Sequence, residues 1–407
     1  MTPAWVNGHQ APWLAAVVLE LARIGTAPAQ DLRIVNGRAQ VESKKIECIC
    51  VEKCHQAHTG WPYSGDIHEL MGGAAVNRMR AMTVAESGST LVMAELPEPE
   101  PGEHDIRLQV LACGVCRTDL HIVDGELGPR RPGLVPGHEV VGRVVATGAQ
   151  ATRFRVGDRV GVPWLGSSCG HCAYCACQRE NLCDAPVFTG FDRNGGFAEQ
   201  VLADERFCFS LPDRYDDLHA APLLCAGLIG YRAYRMSGLK GPARLGLYGF
   251  GAAAHIISQV AGTQGQQVYA FVRPGDVRGQ RFALEMGACW AGPSGLQPPV
   301  ELDGALIFAP VGALVPQALR ATRKGAVVVC AGIHMSEIPA FDYALLWGER
   351  SVRSVANLAR EDGDAFFALI DGQPVTTHVQ PFALAQANEA LAALRSGALS
   401  GAAVLVP

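Results

Sequence analysis

Two contrasting patterns of predicted strands and helices along the sequence indicate an α/β protein, in which a β-rich domain accompanies a doubly wound domain. From about residue 81 to residue 203, short strand-like segments alternate with turns that contain Gly and Pro, a pattern typical of β-rich domains. After residue 228 the rhythm becomes strand, helix, strand. This alternation builds a parallel sheet with helices on both faces.

Individual elements can be predicted in both regions. Residues 106–110 alternate between apolar and polar side chains, as a half-buried strand does. A strand at 245–248 leads into a helix that continues through Val260, and a strand at 267–272 leads into a helix at 278–286. Further strands are predicted at 305–308, 326–329 and 402–406, and a further helix at 384–395.

Composition excludes several classes of protein. The chain has 407 residues, enough for two or three domains at about 150 residues each. Hydrophobic residues make up 49% and charged residues 18%, which indicates an ordered globular chain. The net charge of −5 argues against nucleic-acid and anionic-membrane partners, because both require a concentrated basic patch. No apolar run reaches the roughly 18 residues of a membrane span, and no secretory signal is evident.

Residues 1–78 lack the periodicity of packed elements. We interpret them as an extension that is either disordered or not native to the protein, with Met79 and Met82 as plausible native starts. The alternative is a small metal site, formed by Cys48, Cys50, Cys54, His55 and His58.

A glycine turn between a strand and a helix predicts a dinucleotide site. Gly249, Gly251 and Ala254 form the pattern G-x-G-x-x-A. The first glycine permits a tight turn, the second lets a pyrophosphate approach the backbone, and the alanine allows close packing of helix on strand. At the end of the next strand, Arg273 would favour NADP by pairing with a 2′-phosphate, whereas Asp276 would favour NAD by binding a ribose hydroxyl. The choice between the two cofactors stays open.

Four cysteines with the spacing C-x2-C-x2-C-x7-C predict a structural zinc site: Cys169, Cys172, Cys175 and Cys183. Four thiolates surround a tetrahedral Zn²⁺ and leave no open position. An iron–sulfur cluster would accept the same thiolates and remains an alternative. His171 and Cys177 lie in the same loop but are surplus to the site.

A second set of metal-ligand residues is dispersed along the chain. It comprises a Cys-x-x-Cys segment at 113–116, Gly-His-Glu at 137–139, and Cys225. No single piece is specific, but together they suggest a second zinc with Cys, His and Cys ligands and an open position, which is the pattern of catalytic sites.

Taken in order, these motifs resemble those of the zinc-dependent alcohol dehydrogenases of the medium-chain dehydrogenase/reductase superfamily. The likeness extends from about residue 82 to residue 407 and includes the segment Asp-Arg-Asn-Gly-Gly-Phe-Ala at 192–198. It implies a GroES-like catalytic domain over 79–226 and 352–407, interrupted by a Rossmann NAD(P)-binding domain over 227–351. Residues 1–78 have no counterpart in the family.

The resemblance also implies roles for the residues of the dispersed site. Cys116, His138 and Cys225 are expected to hold the catalytic zinc, with Glu139 beside it as an occasional ligand. Asp119 is expected to bond the far nitrogen of His138 and so fix its tautomer.

For the cofactor and the proton, the resemblance implies that Arg117 contacts the pyrophosphate. Thr118 and His121 are expected to pass the alcohol proton outward. Trp164 is expected either to line the substrate pocket or to belong to the core. Ile229 takes the position that packs on the nicotinamide, where some relatives have threonine, and Cys113 is expected to be a buried free thiol.

The implied activity is reversible hydride transfer between primary or secondary alcohols and NAD or NADP, giving aldehydes or ketones. The resemblance also implies one catalytic and one structural zinc, a small-molecule substrate as partner, and assembly into a homodimer or homotetramer. The alternatives are an enal or quinone reductase of the zinc-free type, a zinc-binding interaction module built on the four-cysteine lobe alone, and a catalytically dead scaffold. Clustered cysteines indicate thiolate ligands in a reducing compartment, so a cytoplasmic location is expected.

Overall fold

The computed structural model describes residues 77–86, 90–128, 131–397, 399 and 401–407, together with the backbone of two strands, β1 (Leu32–Val35) and β2 (Arg38–Val41). The chain divides into two compact units, Met1–Ala74 and Ala75–Pro407. In the first unit, β1 and β2 pair in antiparallel fashion. The Cys and His cluster at 48–58 lies outside the described residues, so both interpretations of the extension stay predictions.

The second unit contains the remaining elements. Its strands are β3 (Arg78–Val84), β4 (Leu91–Pro97), β5 (Asp105–Val115), β6 (Glu139–Thr147), β7 (Arg159–Val162), β8 (Leu165–Ser167), β9 (Val187–Phe188), β10 (Gln200–Asp204), β11 (Phe209–Ser210), β12 (Arg244–Tyr248), β13 (Gln267–Val272), β14 (Trp290–Pro293), β15 (Leu302–Ile307), β16 (Thr322–Cys330), β17 (Ser351–Ser354), β18 (Val379–Ala383) and β19 (Ala402–Val406). Its α-helices are α1 (Arg117–Asp124), α2 (Ala173–Ala176), α3 (Asp217–Ala220), α4 (Ala226–Ser237), α5 (Ala252–Thr263), α6 (Val277–Glu285), α7 (Leu314–Ala321), α8 (Arg360–Gly372) and α9 (Ala387–Ser396). Short 3₁₀ turns lie at Glu180–Leu182, Glu205–Phe207, Ala221–Leu224, Tyr343–Leu345 and Leu384–Gln386.

One sheet is parallel throughout and has the strand order β14-β13-β12-β15-β16-β17. This is the doubly wound order 3-2-1-4-5-6, and it confirms the predicted fold class. Leu247 packs into an apolar core shared with α4, α5 and α8, whereas Tyr248 packs into a core with α7. Strand β12 is therefore buried on both faces, as parallel strands usually are. The last strand, β17, ends at Ser354, whereas the predicted cofactor segment ends at residue 351.

The second large sheet is mostly antiparallel and has β5 at its centre. Its order is β11-β7-β6-β5-β19-β18, and β10 also pairs with β5. Residues 105–111 alternate in burial, as the sequence predicts for a half-buried strand. The C-terminal strand β19 pairs with Cys113, Gly114 and Val115. The tail of the chain thus returns to the strand that leads into the dispersed metal-ligand residues.

Strand β3 begins earlier than the sequence suggests. The apolar run at Met82 marks its middle, but the strand starts at Arg78. Both the backbone N–H and the side chain of Arg80 donate to the carboxylate of Glu199, and Ala81 is fully buried. Among the described residues, no helix is both long enough and apolar enough to cross a membrane.

Candidate active site

Strand register brings the first two dispersed ligands together. Strands β5 and β6 are antiparallel neighbours, and Gly114 lies opposite Glu139. Cys116 follows two residues after Gly114, and His138 immediately precedes Glu139. The two side chains therefore leave adjacent strands at the same edge, and Cys116 Sγ lies 3.1 Å from His138 Nε2.

Cys225 reaches the same point from a distant part of the chain. It follows the 3₁₀ turn Ala221–Leu224 and precedes α4. The buried side chain of Leu224 packs closely against Gly161 of β7, since a Cβ at that glycine would lie 2.6 Å from it. This contact holds the turn against the sheet. One ligand atom from each of Cys116, His138, Glu139 and Cys225 lies within 4.8 Å of the others. Two sulfurs, one imidazole and a carboxylate at this spacing suit Zn²⁺, whose bonds to sulfur and nitrogen are about 2.3 and 2.0–2.1 Å.

Asp119 ties these ligands to the backbone. Cys116 is the N-cap of α1: its sulfur accepts from the N–H of Thr118 at 3.2 Å, and its own N–H donates to Asp119 Oδ2 at 2.9 Å. The N–H of Gly137 donates to Asp119 Oδ1 at 3.2 Å. His138 Nδ1 is also 3.2 Å from this oxygen, as an ion-pair contact that lacks the angle of a well-formed hydrogen bond. The carboxylate thus lies where the resemblance implies, behind the ring.

The charges of the site are coupled. Burial opposes ionisation of the Cys116 thiol, but the hydrogen bond from Cys225 and the neighbouring His138 lower its pKa well below the ordinary value. Burial also opposes the charged form of His138, yet Cys116 and Asp119 raise the pKa of the ring well above its usual range. The pKa of Cys225 is raised by its hydrogen bond to Cys116 and by burial. A bound cation would displace these protons, because metal ligands must be deprotonated.

Glu139 fills space that a glycine leaves open. Its carboxylate is buried, and burial followed by the charge of Cys116 raises the pKa of Glu139 well above its ordinary value. A Cβ at Gly114 would lie 1.9 Å from Glu139 Oε2. Any larger residue at position 114 would therefore push Glu139 out of the cluster.

The four-cysteine lobe forms a second candidate metal-binding group. Its four sulfurs, from Cys169, Cys172, Cys175 and Cys183, lie within 4.8 Å of one another. Cys169 Sγ and Cys175 Sγ are 3.9 Å apart, close to the roughly 3.8 Å that separates two sulfurs in tetrahedral zinc coordination. Backbone N–H groups lower the pKa of Cys169 to about 6, so this thiol readily ionises. The donor set fits a closed structural site.

Three residues near the two ligand groups are not part of them: two lie in the four-cysteine lobe, and the third is Cys113 of β5. His171 Nδ1 lies 2.7 Å from the backbone oxygen of Cys169, and Cys177 is exposed with its thiol donating to Ala173. Cys113 is fully buried; burial first, and then nearby acidic groups, raise the pKa of its thiol. These three residues lie as the sequence leads one to expect, outside both ligand groups.

An aromatic wall stands beside His138. Trp164 meets the His138 ring edge-on at 4.9 Å between centroids and stacks on Phe188 at 4.9 Å. Phe191 lies 6.1 Å from the same indole. The sequence singled out Trp164 but gave no sign of its two aromatic neighbours, because the pairing of β8 with β9 across the four-cysteine lobe brings them together.

The glycine turn has room for a ligand. Gly249 has a φ of +87°, and a Cβ there would meet Ala309 at 2.8 Å, so glycine is required. At Gly251, the N-cap of α5, a Cβ would meet nothing within 4 Å. Ala254 is fully buried, in agreement with close helix packing. The open backbone at a helix N-terminus suits a phosphate.

Arg273 and Asp276, the two candidates for recognising the cofactor at the end of β13, have different surroundings. Arg273 is exposed, directly after the strand. The carboxylate of Asp276 caps α6, since Oδ1 accepts from the N–H of Gly279 at 2.8 Å. Asp276 thus has a local structural use that the sequence interpretation did not include.

Helix α1 carries the two residues expected to pass the proton and also Arg117, which is expected to contact the pyrophosphate. Arg117 is exposed and Thr118 is buried. His121, in the last turn, pairs through Nδ1 with Glu126, and its ring lies 5.2 Å from that of His334. Sequence reasoning missed Glu126 and His334. Gly125 directly after the helix was the available signal for Glu126, because a left-handed cap folds the following residue back onto the last turn.

Comparison with known proteins gives a consistent picture. Residues 102–213 match the family described as the alcohol dehydrogenase GroES-like domain. The chain is 44% identical over 321 residues to the probable alcohol dehydrogenase AdhA of Mycobacterium tuberculosis (strain CDC 1551 / Oshkosh), covering 77% of this chain and 92% of that protein.

Two solved structures extend the likeness to the fold. The cinnamyl alcohol dehydrogenase SbCAD4 of Sorghum bicolor is similar with a TM-score of 0.74 and 26% identity, over 81% of this chain and 98% of that one. A putative zinc-binding dehydrogenase from Sinorhizobium meliloti 1021, bound to NADP, gives a TM-score of 0.71 and 25% identity, over 81% of this chain and all of that one.

Proposed function

Because this chain belongs to the zinc-type alcohol dehydrogenases of the medium-chain dehydrogenase/reductase superfamily, we propose that Cys116, His138 and Cys225 hold its catalytic zinc. The protein is an NAD(P)-dependent oxidoreductase that interconverts alcohols with aldehydes or ketones. The observation that carries the residue assignment is the convergence of ligand atoms from three separate segments within 4.8 Å. Three protein ligands leave the fourth tetrahedral position for substrate, and Glu139 stands beside them as an occasional ligand.

When bound, the metal supplies Lewis acidity toward the substrate oxygen, and the dinucleotide supplies the two-electron acceptor. The chain's own residues position these partners. Asp119 holds the backbone at Cys116 and Gly137 and lies behind His138, so the ring keeps one orientation. The aromatic wall at Trp164 excludes water from one side of that ring and lines the substrate pocket.

Proton movement is assigned to α1. Thr118 is buried within two residues of Cys116, and His121 lies one helical turn further on with its side chain 15% exposed. The two side chains provide successive stations between the metal ligands and the surface. An imidazole has two ring nitrogens that can accept and donate a proton, which suits the outer station of such a path.

The dinucleotide is assigned to the glycine turn Gly249–Gly251, with Ala254 packing the helix, Arg117 contacting the pyrophosphate and Ile229 packing near the nicotinamide. The exposed Arg273 suits a 2′-phosphate, and the use of Asp276 as a helix cap weakens the case for a ribose-binding acid. Kinetics with both cofactors decides between NAD and NADP.

The other functions are not favoured. A zinc-free enal or quinone reductase has no use for the cluster of Cys116, His138, Glu139 and Cys225. A module built on the lobe alone would not need the six-stranded parallel sheet with its glycine turn. Enal or quinone reduction without alcohol oxidation would reverse this preference.

The test is a panel of primary and secondary alcohols, with reduction of NAD and then of NADP followed by absorbance. We expect turnover with the wild-type protein and background rates with His138→Ala. Cys177→Ser, in the lobe but outside its ligand group, is the matched control and should keep full activity. An active His138→Ala variant would contradict the assignment.

We further propose a division into a catalytic domain (79–226 and 352–407) and a cofactor domain (227–351), a homodimer or homotetramer, and a cytoplasmic location. Tyr343 and Trp347 are each 66% exposed in the segment before the edge strand β17, which suits a subunit interface. The described cysteines are all free, which suits a reducing compartment. Light scattering tests the assembly: Trp347→Asp should lower the measured mass, and an unchanged mass would remove this surface from the proposal.

A further inference from the structure

Glu180 attaches the four-cysteine lobe to the start of α8. It lies three residues before Cys183 and is buried, and its Oε1 accepts from both the backbone N–H and the Nε of Arg360, each at 2.9 Å. Among the described residues, its other oxygen is buried without a partner. Burial opposes ionisation of this carboxyl, but the bonds from Arg360 prevail and lower the pKa of Glu180 below its ordinary value. The buried charge therefore depends on Arg360.

A second lobe residue holds the chain just before this helix. Nδ2 of Asn181 donates to the backbone oxygen of Ala356 at 2.8 Å. Two neighbouring side chains of the lobe thus fix residues 356–360, which connect β17 with α8. The guanidinium of Arg360 also lies over the ring of Phe207, 4.9 Å from its centroid. The first residue of α8 is therefore held in place by contacts outside its own helix.

Further along, α8 packs against the first turn of α4. Phe366 is fully buried, and a Cβ at Gly227 would lie 2.7 Å from its ring. Tyr231, one turn further along α4, lies 5.4 Å from the same ring between centroids. Gly227 comes two residues after Cys225. Because protein interiors are close-packed, a shift of α8 would displace this turn and the cysteine beside it.

A buried carboxylate joins the same two helices. Asp362, in the first turn of α8, pairs with both Arg232 and Arg235 of α4, the latter at 2.9 Å. Its Oδ2 also accepts from the N–H of Ala359 at 3.0 Å, so the carboxylate caps its own helix while it holds the other. Breaking a buried pair is costly, because an uncompensated charge remains. Helices α8 and α4 should therefore move together.

We propose that α8 couples the two metal-ligand groups, and that Glu180 is a positioning residue for the catalytic metal. A metal in the lobe fixes Cys183, and with it the short turn that carries Glu180. Glu180 then holds the start of α8, and Phe366 holds the first turn of α4, where Cys225 lies. The lobe metal thereby raises the affinity of the catalytic group for zinc, and by linkage the catalytic metal raises that of the lobe equally. The inference rests on the proposed function, because it takes Cys225 as a ligand of the catalytic zinc.

Glu180→Gln keeps an oxygen for Arg360 but removes the charge. We expect the affinity of the catalytic group for zinc to fall at least about fivefold, the lower end of typical couplings between sites. Competition for Zn²⁺ with a chromogenic chelator measures this fall in the full chain, without cofactor or turnover. The same titration of Cys116→Ala, with and without Glu180→Gln, gives the affinity of the lobe alone. That affinity should stay unchanged, because the catalytic group then has no metal to couple to.

Arg360→Gln breaks the same pair from the α8 side, leaves the lobe sequence intact, and should reproduce the loss. Arg360→Lys keeps a positive charge and the backbone N–H, and should retain most of the affinity. Asp303→Asn is the matched control, because Asp303 accepts from the backbone N–H and the Nε of Arg244 in the same arrangement, at 2.7 and 3.0 Å, but in the parallel sheet. This variant should leave the zinc affinity unchanged.

Wild-type zinc affinity in both Glu180→Gln and Arg360→Gln would overturn the inference. An equal loss in Asp303→Asn would also overturn it, because the effect would then reflect general stability, and so would a loss confined to the lobe. A wild-type protein that binds both zinc ions but oxidises no alcohol would instead contradict the proposed function, while the fall in affinity would still support the coupling.

Discussion

Asp119 lies behind the proposed catalytic zinc ligands. It is fully buried, and its two oxygens receive the backbone N–H groups of Cys116 and Gly137. Burial raises the pKa of Asp119, although His138 and its own hydrogen bonds act in the opposite direction. The charges of Asp119 and His138 therefore stabilise each other. Loss of either side chain should leave the proposed metal ligands less firmly positioned.

Asp119→Asn tests this dependence. The amide keeps one acceptor oxygen but lacks the charge that fixes His138, and its NH₂ group faces a backbone N–H. We expect the affinity of the catalytic site for zinc to fall by about 10–100-fold, the range found for groups that orient metal ligands. Competition with a coloured chelator measures the change. Asp158→Asn, which alters an exposed turn carboxylate bonded to the N–H of Arg155, should leave the competition curve unchanged; equal curves for all three proteins would refute the role of Asp119.

The sequence indicated the ligands but not their surroundings. Cys116, His138 and Cys225 are recognisable because their residue types and order carry the chemistry. Glu126 and His334 are not, because their contacts with His121 depend on a left-handed cap and on a turn from another sheet. Tertiary neighbours of this kind leave no periodic signal in the chain.

At the scale of elements, an ionic cluster joins three neighbouring strands of the parallel sheet. Asp303 of β15 accepts from Arg244 of β12 and from Arg323 of β16. Partial burial opposes ionisation of the carboxyl, but the two guanidinium groups prevail and hold the pKa of Asp303 at about 2. In an unfolded chain the pKa of an aspartate is about 3.9. The cluster thus stabilises the fold above that pH, and its contribution is lost as the pH falls from about 4 toward 2.

Asp303→Asn should lower the free energy of unfolding at neutral pH by on the order of 1 kcal/mol, since solvent and salt screen partly exposed pairs. The difference from wild type should shrink as the pH falls below about 4, because the wild-type carboxyl then becomes protonated. Urea unfolding at several pH values measures both effects. Asp371→Asn, whose partner Arg214 is 3.8 Å away on the surface, is the control and should show no pH-dependent loss. A constant difference at every pH would contradict the assignment.

Elements of the parallel sheet were predictable because strands that are short apolar runs alternate with helical segments. The predicted strand at 267–272 matches β13, and the predicted helix at 278–286 matches α6 within one residue. The early start of β3 was not predictable, because residues 78–81 alternate between Arg and apolar residues, and Glu199, which bonds Arg80, lies far along the chain from the pairing strand β4. Local pattern thus suffices for a strand that is buried on both faces, such as β13, and fails where a strand is defined by its neighbours.

At the scale of the whole molecule, the residues that match the alcohol dehydrogenase GroES-like domain, 102–213, lie within the second compact unit. It covers Ala75–Pro407, and AdhA of Mycobacterium tuberculosis matches the chain over 92% of its own length. We expect residues 77–407 alone to keep the alcohol activity and both zinc ions. A chain that starts at Met82 lacks the first four residues of β3, including the buried Ala81 and the Arg80–Glu199 pair. It should therefore unfold at a lower temperature.

Thermal unfolding and activity of the two truncated chains, beside the full chain, check this expectation. Equal stability of the chains that begin at residues 77 and 82 would contradict the structural role given to the start of β3. Loss of activity in the longer truncated chain would show that residues 1–76 contribute to function.

The proposed chemistry depends on two thiols and an imidazole that lie at one point, where the edge of β5 and β6 meets the start of the distant helix α4. Zinc content per chain, measured by elemental mass spectrometry alongside alcohol turnover, tests this most directly. The two ligand groups predict two zinc ions in the wild type, and Cys116→Ala should retain one and lose activity. A Cys116→Ala protein that oxidises alcohols with a single zinc would contradict the account.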